Sequence, residues 1–178
     1  MFADEKLGKV IQWGYLVKNL DQAMASWVEQ LGIGPWWGYR NVPLKSVVDG
    51  KETNITIDVG LAYHQGVQIE LIHQTCEGDS PYRYFYRESD DAQVLQQVAY
   101  MVPDINKAIA QCEGRGMKEI GRVIPWPGGD CVYMSSPGLK GIAIELMPHS
   151  QDFLDEYSRC VEVADEWDGE EPYRLVCL

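Results

Sequence analysis

The sequence has few of the residues that build structural metal sites and disulfide frameworks. It contains only three histidines, and its five cysteines form no CxxC pair: Cys76, Cys112, Cys131, Cys160 and Cys177. Structural zinc sites need closely spaced Cys and His, and disulfide frameworks need paired cysteines in small secreted chains. The cysteine pattern therefore argues against both.

Basic residues are also scarce. There are 15 Lys and Arg against 27 Asp and Glu, for a net charge of −12. Proteins that bind nucleic acids need a basic surface for phosphate contacts, so we expect no nucleic-acid partner.

No apolar run approaches the roughly 20 residues of a membrane span. The charged N-terminal stretch MFADEKLGKV lacks the apolar core of a signal peptide, and we therefore expect a cytoplasmic protein with no membrane partner.

Two copies of one unit make up most of the chain. Residues 10–23 (VIQWGYLVKNLDQA) and 95–108 (LQQVAYMVPDINKA) each combine a β-rich run with a helix, for which Asn19 and Asp104 are the predicted N-caps. The strand QIELI around Glu70 is repeated as AIELM around Glu145. Internal repetition outranks local signals, so it predicts an α+β fold with the order βαβββ twice. The predicted divisions are 1–80 (first module), 81–94 (connector), 95–148 (second module) and 149–178 (acidic C-terminal helix and tail).

Each copy offers a glutamine early and a glutamate late, namely Gln12 and Glu70, then Gln97 and Glu145. A carboxylate in the middle of an apolar strand is usually solvated, paired or bound to a metal. Because the four residues are placed equivalently in two copies, we predict that they face one shared cavity.

A dense aromatic group, Trp36, Trp37 and Tyr39, follows the turn at Gly34 and Pro35. Core packing is the better interpretation for at least one of the tryptophans. Since neighbours on a strand point to opposite faces, the group also predicts a wall of a substrate pocket. Trp126 is a fourth candidate for that wall.

In its modules and motifs the chain resembles the vicinal oxygen chelate superfamily of glyoxalases, methylmalonyl-CoA epimerases, extradiol dioxygenases and bleomycin-resistance proteins. The LGIGPW turn, the GVQIELI strand, the LQQVAYMVPDINKAI segment and the IAIELMP strand are most similar to the branch around methylmalonyl-CoA epimerase. The resemblance implies glyoxalase-like, half-closed mixed sheets around a metal site, with ligands from the first and last strands of both copies. Here those positions are Gln12, Glu70, Gln97 and Glu145.

The departure from the family lies in two of these positions, because epimerase-like members usually have His where Gln12 and Gln97 stand. Imidazole suits zinc, nickel, cobalt and iron, whereas an amide oxygen is a weak, hard donor. If a divalent metal is bound, magnesium or manganese is therefore favoured over zinc, nickel or cobalt. A metal-free site is the alternative. Iron-dependent dioxygenase chemistry fits badly, since its facial triad needs two His.

Three functions follow from this resemblance. The first is an epimerase, isomerase or lyase that moves a proton next to a substrate carbonyl, with Glu70 and Glu145 as acid and base. Without a metal, two carboxylates in one cavity would share a proton and so supply both. The substrate could be a CoA thioester, although the only mid-chain cations for its phosphates are Arg40, Lys45, Lys51, Arg83 and Arg87.

The second function is a non-catalytic small-molecule binding protein of the bleomycin-resistance type, which the tryptophans favour. The third is a structural member in which the glutamates and glutamines only hydrogen-bond to one another. We also expect a homodimer, because the apolar stripe of the C-terminal helix must cover its own chain or a partner.

Overall fold

The computed structural model describes residues 6–86, 90–125 and 127–178, with backbone alone at 84–86. The predicted α+β order of two βαβββ modules and a C-terminal helix is confirmed. A short helix in the connector and a final strand were not predicted. The elements are β1 (Val10–Val17), α1 (Leu20–Leu31), β2 (Trp36–Val48), β3 (Lys51–His64), β4 (Val67–Gln74), α2 (Pro81–Tyr86), β5 (Gln93–Val102), α3 (Ile105–Gly114), β6 (Lys118–Ile124), β7 (Cys131–Ser135), β8 (Ala143–Pro148), α4 (Gln151–Asp165) and β9 (Tyr173–Cys177).

Helices α1 and α3 begin at the predicted N-caps. The side chain of Asn19 accepts a hydrogen bond from the Gln22 amide at 3.0 Å, and Asp104 accepts one from the Lys107 amide at 3.0 Å. Each contact gives a partner to one of the amide groups that a helix leaves free at its start. Gly32 ends α1 in the left-handed region, at φ 66°. No helix in the described part of the chain has the length and apolar character to cross a membrane.

The strands form one mixed, barrel-like sheet. In each module the first strand pairs in parallel with the last, β1 with β4 and β5 with β8, and the modules meet where β1 and β5 run antiparallel. One edge of β2 pairs along its length with β3. Its other edge pairs with β9 over Trp36–Arg40 and then with β6 over 45–47, and the β6 contact closes eight strands into a ring.

Apolar side chains line both the inner and the outer face of this ring. The interior cluster includes Leu44, Ile57, Val59 and Met147, whereas α1 and α3 cover two further clusters on the outside. Helix α4 packs against β3. The ring thus has covered outer faces and an interior that is only partly filled, as the cavity described below requires.

Tyr157 anchors α4 on the ring. Its hydroxyl accepts a hydrogen bond from the Gln68 amide at 3.1 Å and lies 2.9 Å from the carbonyl oxygens of Ile11 and Gly66. Its ring packs edge-on against Tyr63, with centroids 5.0 Å apart. The inward stripe of α4 therefore covers its own chain, and the homodimer stays a prediction.

Replacing Tyr157 with phenylalanine should lower the free energy of unfolding by about 1–3 kcal/mol, because partly buried backbone groups lose their partner while the ring packing is kept. Urea denaturation would measure the change. Tyr173→Phe is the matched control, since Tyr173 is 47% exposed at the surface. Equal unfolding midpoints for the two variants would contradict the anchoring role.

Candidate functional site

A cavity of about 330 Å³ lies inside the ring, within the range of about 300–1,000 Å³ typical of ligand pockets. Residues from both modules, the connector helix α2 and the first turn of α4 line it. They are Gln12, Tyr39, Val42, Leu44, Ile57, Val59, Leu61, Gln68, Glu70, Tyr82, Val123, Pro125, Cys131, Tyr133, Glu145, Met147 and Phe153.

Three of the four predicted polar residues meet in one hydrogen-bonded cluster. The amide nitrogen of Gln97, on β5, donates to Glu70 Oε2 at 3.0 Å and to Glu145 Oε2 at 2.9 Å. Glu70 comes from β4 and Glu145 from β8, so the cluster joins the last strands of both modules. An amide nitrogen carries two hydrogens and can serve both carboxyl groups at once.

The reach of Gln97 depends on a glycine. Gly14 on β1 stands between Glu70 on one neighbouring strand and Gln97 on the other. A Cβ atom at Gly14 would lie 2.4 Å from Gln97 Cδ, far inside van der Waals contact. The side chain of Gln97 therefore crosses β1 over Gly14 to reach Glu70.

Gln12 lines the same cavity but belongs to a second hydrogen-bonded network, formed with Gln68 and Tyr63. Its amide nitrogen donates to Gln68 Oε1 at 2.7 Å, and Gln68 Nε2 donates to the Tyr63 hydroxyl at 2.5 Å. The prediction placed four residues around one cavity. Gln12, Glu70 and Glu145 line it, whereas Gln97 is absent from the described lining and contacts the two glutamates from behind them.

Two tyrosines that the sequence did not single out extend the cluster. The Tyr133 hydroxyl donates to Glu145 Oε1 at 3.1 Å, and the Tyr82 hydroxyl lies 3.2 Å from that of Tyr133. Tyr133 stands directly opposite Glu145 in the β7–β8 pair. The periodicity of β7 would have placed Tyr133 on a face, but only the register between strands shows that it meets Glu145.

Both carboxyl groups resist ionisation. Burial raises the pKa of Glu70 well above its ordinary value, and the charge of Glu145 raises it further. Burial also raises the pKa of Glu145, to about 7, although hydrogen bonds with Tyr133, Cys131 and Gln97 oppose the shift. Because Glu145 has more donors to stabilise its anion, at neutral pH the retained proton belongs to Glu70.

The aromatic group behaves differently from its prediction as a pocket wall. Trp36 is fully buried beneath α1, its ring 6.2 Å from Trp27 and its indole N–H bonded to the Ile33 carbonyl at 3.0 Å. It is a core residue because β2 turns it to the outer face of the sheet. Trp37 packs against Tyr63 at 5.8 Å and is likewise absent from the described lining.

Tyr39 is the member of this group that lines the cavity. The β2–β3 ladder shifts register between Tyr39 and Val42, which lets both side chains face inward. Trp126, the remaining candidate for the wall, lies outside the described residues.

The donor set in this arrangement does not fit a divalent metal. A metal needs lone pairs from all ligands directed at one point, but Gln97 directs its N–H₂ group at both carboxyl groups. Gln12 is held away from this cluster by its hydrogen bond to Gln68. The predicted magnesium or manganese site would require the amide of Gln97 to turn over.

Gly14→Ala should displace Gln97 from the two carboxyl groups, because the new methyl group would overlap its side chain. We expect a loss of about 1–3 kcal/mol in unfolding free energy, as the amide and carboxyl groups lose buried partners. Gly138→Ala is the control, since a Cβ there meets nothing closer than Ser136 Oγ at 3.8 Å. Thermal unfolding of both variants would measure the difference, and equal stability would contradict the crossing of Gln97 over Gly14.

Comparison with known proteins identifies a family. A model of the Glyoxalase/Bleomycin resistance protein/Dioxygenase superfamily matches residues 11–134. A search of curated proteins found no match.

Solved structures share the fold at low sequence identity. A hypothetical protein from Bacillus halodurans C-125 is 15% identical, covers 80% of this chain and 95% of its own, and superposes with a TM-score of 0.59. Methylmalonyl-CoA epimerase from Mycobacterium tuberculosis is 17% identical over 87% of this chain and 97% of its own, with a TM-score of 0.56. A methylmalonyl-CoA epimerase in complex with methylmalonyl-CoA and an ammonium ion is 13% identical over 82% and 97%, with a TM-score of 0.52.

Proposed function

Because this chain belongs to the Glyoxalase/Bleomycin resistance protein/Dioxygenase superfamily, we propose that it is an enzyme that moves a proton at the carbon next to a substrate carbonyl. The observation that carries the proposal is the Gln97 amide between Glu70 and Glu145, beside an apolar cavity. One carboxylate and one carboxylic acid at neutral pH supply a base and an acid together.

The roles of the two glutamates follow from their partners. Glu145, whose anion has more hydrogen-bond donors, removes the proton from the carbon and leaves the electron pair on an enolate. Glu70, which retains its proton, donates to the enolate oxygen as negative charge develops there. Transfer of the Glu70 proton to the opposite face of that carbon, with Glu145 keeping the proton that it removed, gives epimerisation. Transfer of the Glu70 proton to a different atom gives isomerisation.

The remaining polar groups position this pair. Gln97 holds the two carboxyl groups on either side of its amide, and Tyr133 orients Glu145 through its Oε1 atom. The apolar walls exclude water, which strengthens each of these polar contacts. No step of this scheme runs through a metal, since the arrangement of the amides does not fit one.

Deuterium exchange tests the proposal and does not require the natural substrate. Compounds with an acidic proton next to a carbonyl would be incubated with the protein in deuterated buffer, and incorporation at that carbon followed by NMR. The expected result is exchange well above the rate in buffer for at least one bound compound. Tight binding of compounds that exchange only at the buffer rate would contradict catalysis.

That contrary result would instead support a non-catalytic binding protein. The observation that favours this second function is the predominance of apolar side chains around the cavity, which can hold a ligand without any chemistry. Its predicted support from tryptophans is weaker, because Trp36 lies in the core and Trp37 lies away from the described lining.

A further inference from the structure

The cavity walls offer an apolar surface without a cation. The polar residues of the cavity belong mainly to the two hydrogen-bonded networks described above. No Lys, Arg or His occurs among the described residues that line the cavity. The rest of the wall suits an apolar body of a ligand and consists of Val42, Leu44, Ile57, Val59, Leu61, Val123, Pro125, Met147 and Phe153.

The described charged residues near the opening of the cavity are paired with one another. Tyr39 and Pro125 are the exposed members of the described lining, so the cavity opens beside them. A second hollow of about 570 Å³ adjoins it there, sharing Leu44 and Pro125. Among the described residues, the charged groups of this hollow are Glu52, Asp130 and one cation, Lys45.

Lys45 is already neutralised, because its ammonium nitrogen lies 2.8 Å from Glu52 Oε1. An anion in the adjoining hollow would therefore have to displace Glu52 from Lys45. Both side chains are more than half exposed, so this pair is weak, and a single ammonium group with a carboxylate partner is a poor site for a polyphosphate.

Of the other mid-chain cations, Arg40 and Arg83 contact carboxylates, Lys51 is exposed, and Arg87 lies outside the described residues. Arg40 of β2 contacts Asp21 and Asp58, and Arg122 of β6 contacts Glu119 at 2.6 Å and Asp130 at 3.5 Å. Phosphate recognition depends on guanidinium or ammonium groups whose donors are directed at the ligand. These two guanidinium groups direct donors at the carboxylates of their own chain. The net charge of −12 adds a general repulsion of polyanions.

We infer that the compound bound in this cavity is an uncharged, mainly apolar carbonyl compound, and not a CoA thioester or another anion. The carbonyl in this assignment rests on the proposed function, whereas the lack of charge rests on the lining and the paired cations. The reacting carbon lies against Glu145, and the apolar body fills the space between Leu44, Val59 and Phe153.

Four probes that share one reacting acyl group separate charge from size. They are the S-ethyl thioester, the pantetheine thioester and the CoA thioester of 2-methylhexanoic acid, and the free acid. Binding would be measured by calorimetry and exchange of the α-proton by NMR in deuterated buffer. We expect the two neutral thioesters to bind at least about tenfold more tightly than either anion. Neutral binding should also change by less than about twofold between 0.05 and 0.5 M NaCl, because salt screens only charges.

A CoA thioester that binds more tightly than the pantetheine thioester would overturn the inference, as would failure of both neutral probes to bind. Binding of a neutral probe without exchange would support the ligand class and count against the proposed function. Exchange of the CoA thioester alone would overturn the ligand class and leave proton transfer standing. The two proposals therefore fail separately.

Two variants locate the binding. Glu52→Gln releases Lys45 in the adjoining hollow, and should strengthen binding of the CoA thioester at low salt while leaving the S-ethyl thioester within about twofold. Leu61→Phe adds volume to the half-buried cavity wall and should weaken the S-ethyl thioester by at least about fivefold. Val42→Leu serves if Leu61→Phe does not fold. Unchanged neutral binding in a folded wall variant would place the ligand elsewhere and overturn the inference.

Discussion

Turnover of any substrate that exchanges its proton should fall by about 10²–10⁴-fold when Glu145 is replaced with glutamine, the range expected for a lost general base. The amide has nearly the volume of the carboxyl group and can still accept a hydrogen bond from Tyr133. Ligand binding should therefore change little. The decrease should appear in kcat rather than in KM, because the missing step is proton removal.

The pH profile distinguishes this chemistry from a structural effect. In the wild-type protein, activity should rise as Glu145 loses its proton, near pH 7, and fall again as Glu70 loses its own at higher pH. The two apparent pKa values belong to the pair, since the groups interact. Glu29→Gln, at an exposed position on α1, is the control and should match wild type. A Glu145→Gln protein that keeps most of its turnover would refute the assignment of Glu145 as base.

Glu70→Gln should stabilise the folded protein at neutral and alkaline pH. In the native state the pKa of Glu70 lies well above its ordinary value of 4.5, so between these values the folded protein holds a proton that the unfolded chain has lost. The wild-type protein therefore loses stability as pH rises through this window. Glutamine mimics the protonated form at every pH and removes that loss.

The expected gain in unfolding free energy is close to zero near pH 4 and grows by about 1.4 kcal/mol for each pH unit above the ordinary pKa, until Glu70 itself ionises in the native state. Urea denaturation at a series of pH values would measure it. Glu113→Gln, exposed on α3, is the control and should show no such trend. A Glu70→Gln protein that is less stable than wild type at pH 8 would show that Glu70 is charged in the native state.

Opposite effects on stability and activity are what a catalytic carboxyl group should produce. Burial of two carboxyl groups lowers the stability of the fold, and such a loss is typical of sites that are kept for activity. The third function considered from the sequence, in which these side chains only hydrogen-bond to one another, predicts no turnover in the wild-type protein.

Repetition in the sequence was enough to predict the architecture and the strands that carry the polar cluster. Glu70 and Glu145 were found because each interrupts an apolar strand in an equivalent place, and the caps at Asn19 and Asp104 follow from local chemistry alone. These signals depend on residues close together in the chain. They do not depend on which strands are neighbours.

Other parts of the site depend on pairing between distant strands and could not be predicted in this way. Tyr133 meets Glu145 through the β7–β8 register, and Gly14 matters only because β1 lies between β4 and β5. The inward or outward direction of Trp36 likewise depends on which face α1 covers. The strand β9 pairs with β2, far away in the chain, and its five residues have no distinctive pattern of their own.

The hydrogen bond between Gln12 and Gln68 makes the two halves of the repeat chemically different. Gln12 lies beside Gln68 in the first half, whereas its counterpart Gln97 lies beside Ala143 in the second. The methyl group of Ala143 offers no hydrogen-bond partner, so Gln97 is left to bind the carboxyl groups, while Gln68 keeps Gln12 occupied. A second small residue reinforces this difference. Gly14 leaves room for Gln97 to cross to Glu70, whereas its counterpart Ala99 carries a Cβ between Gln12 and Glu145. Two small residues thus make the repeat chemically one-sided.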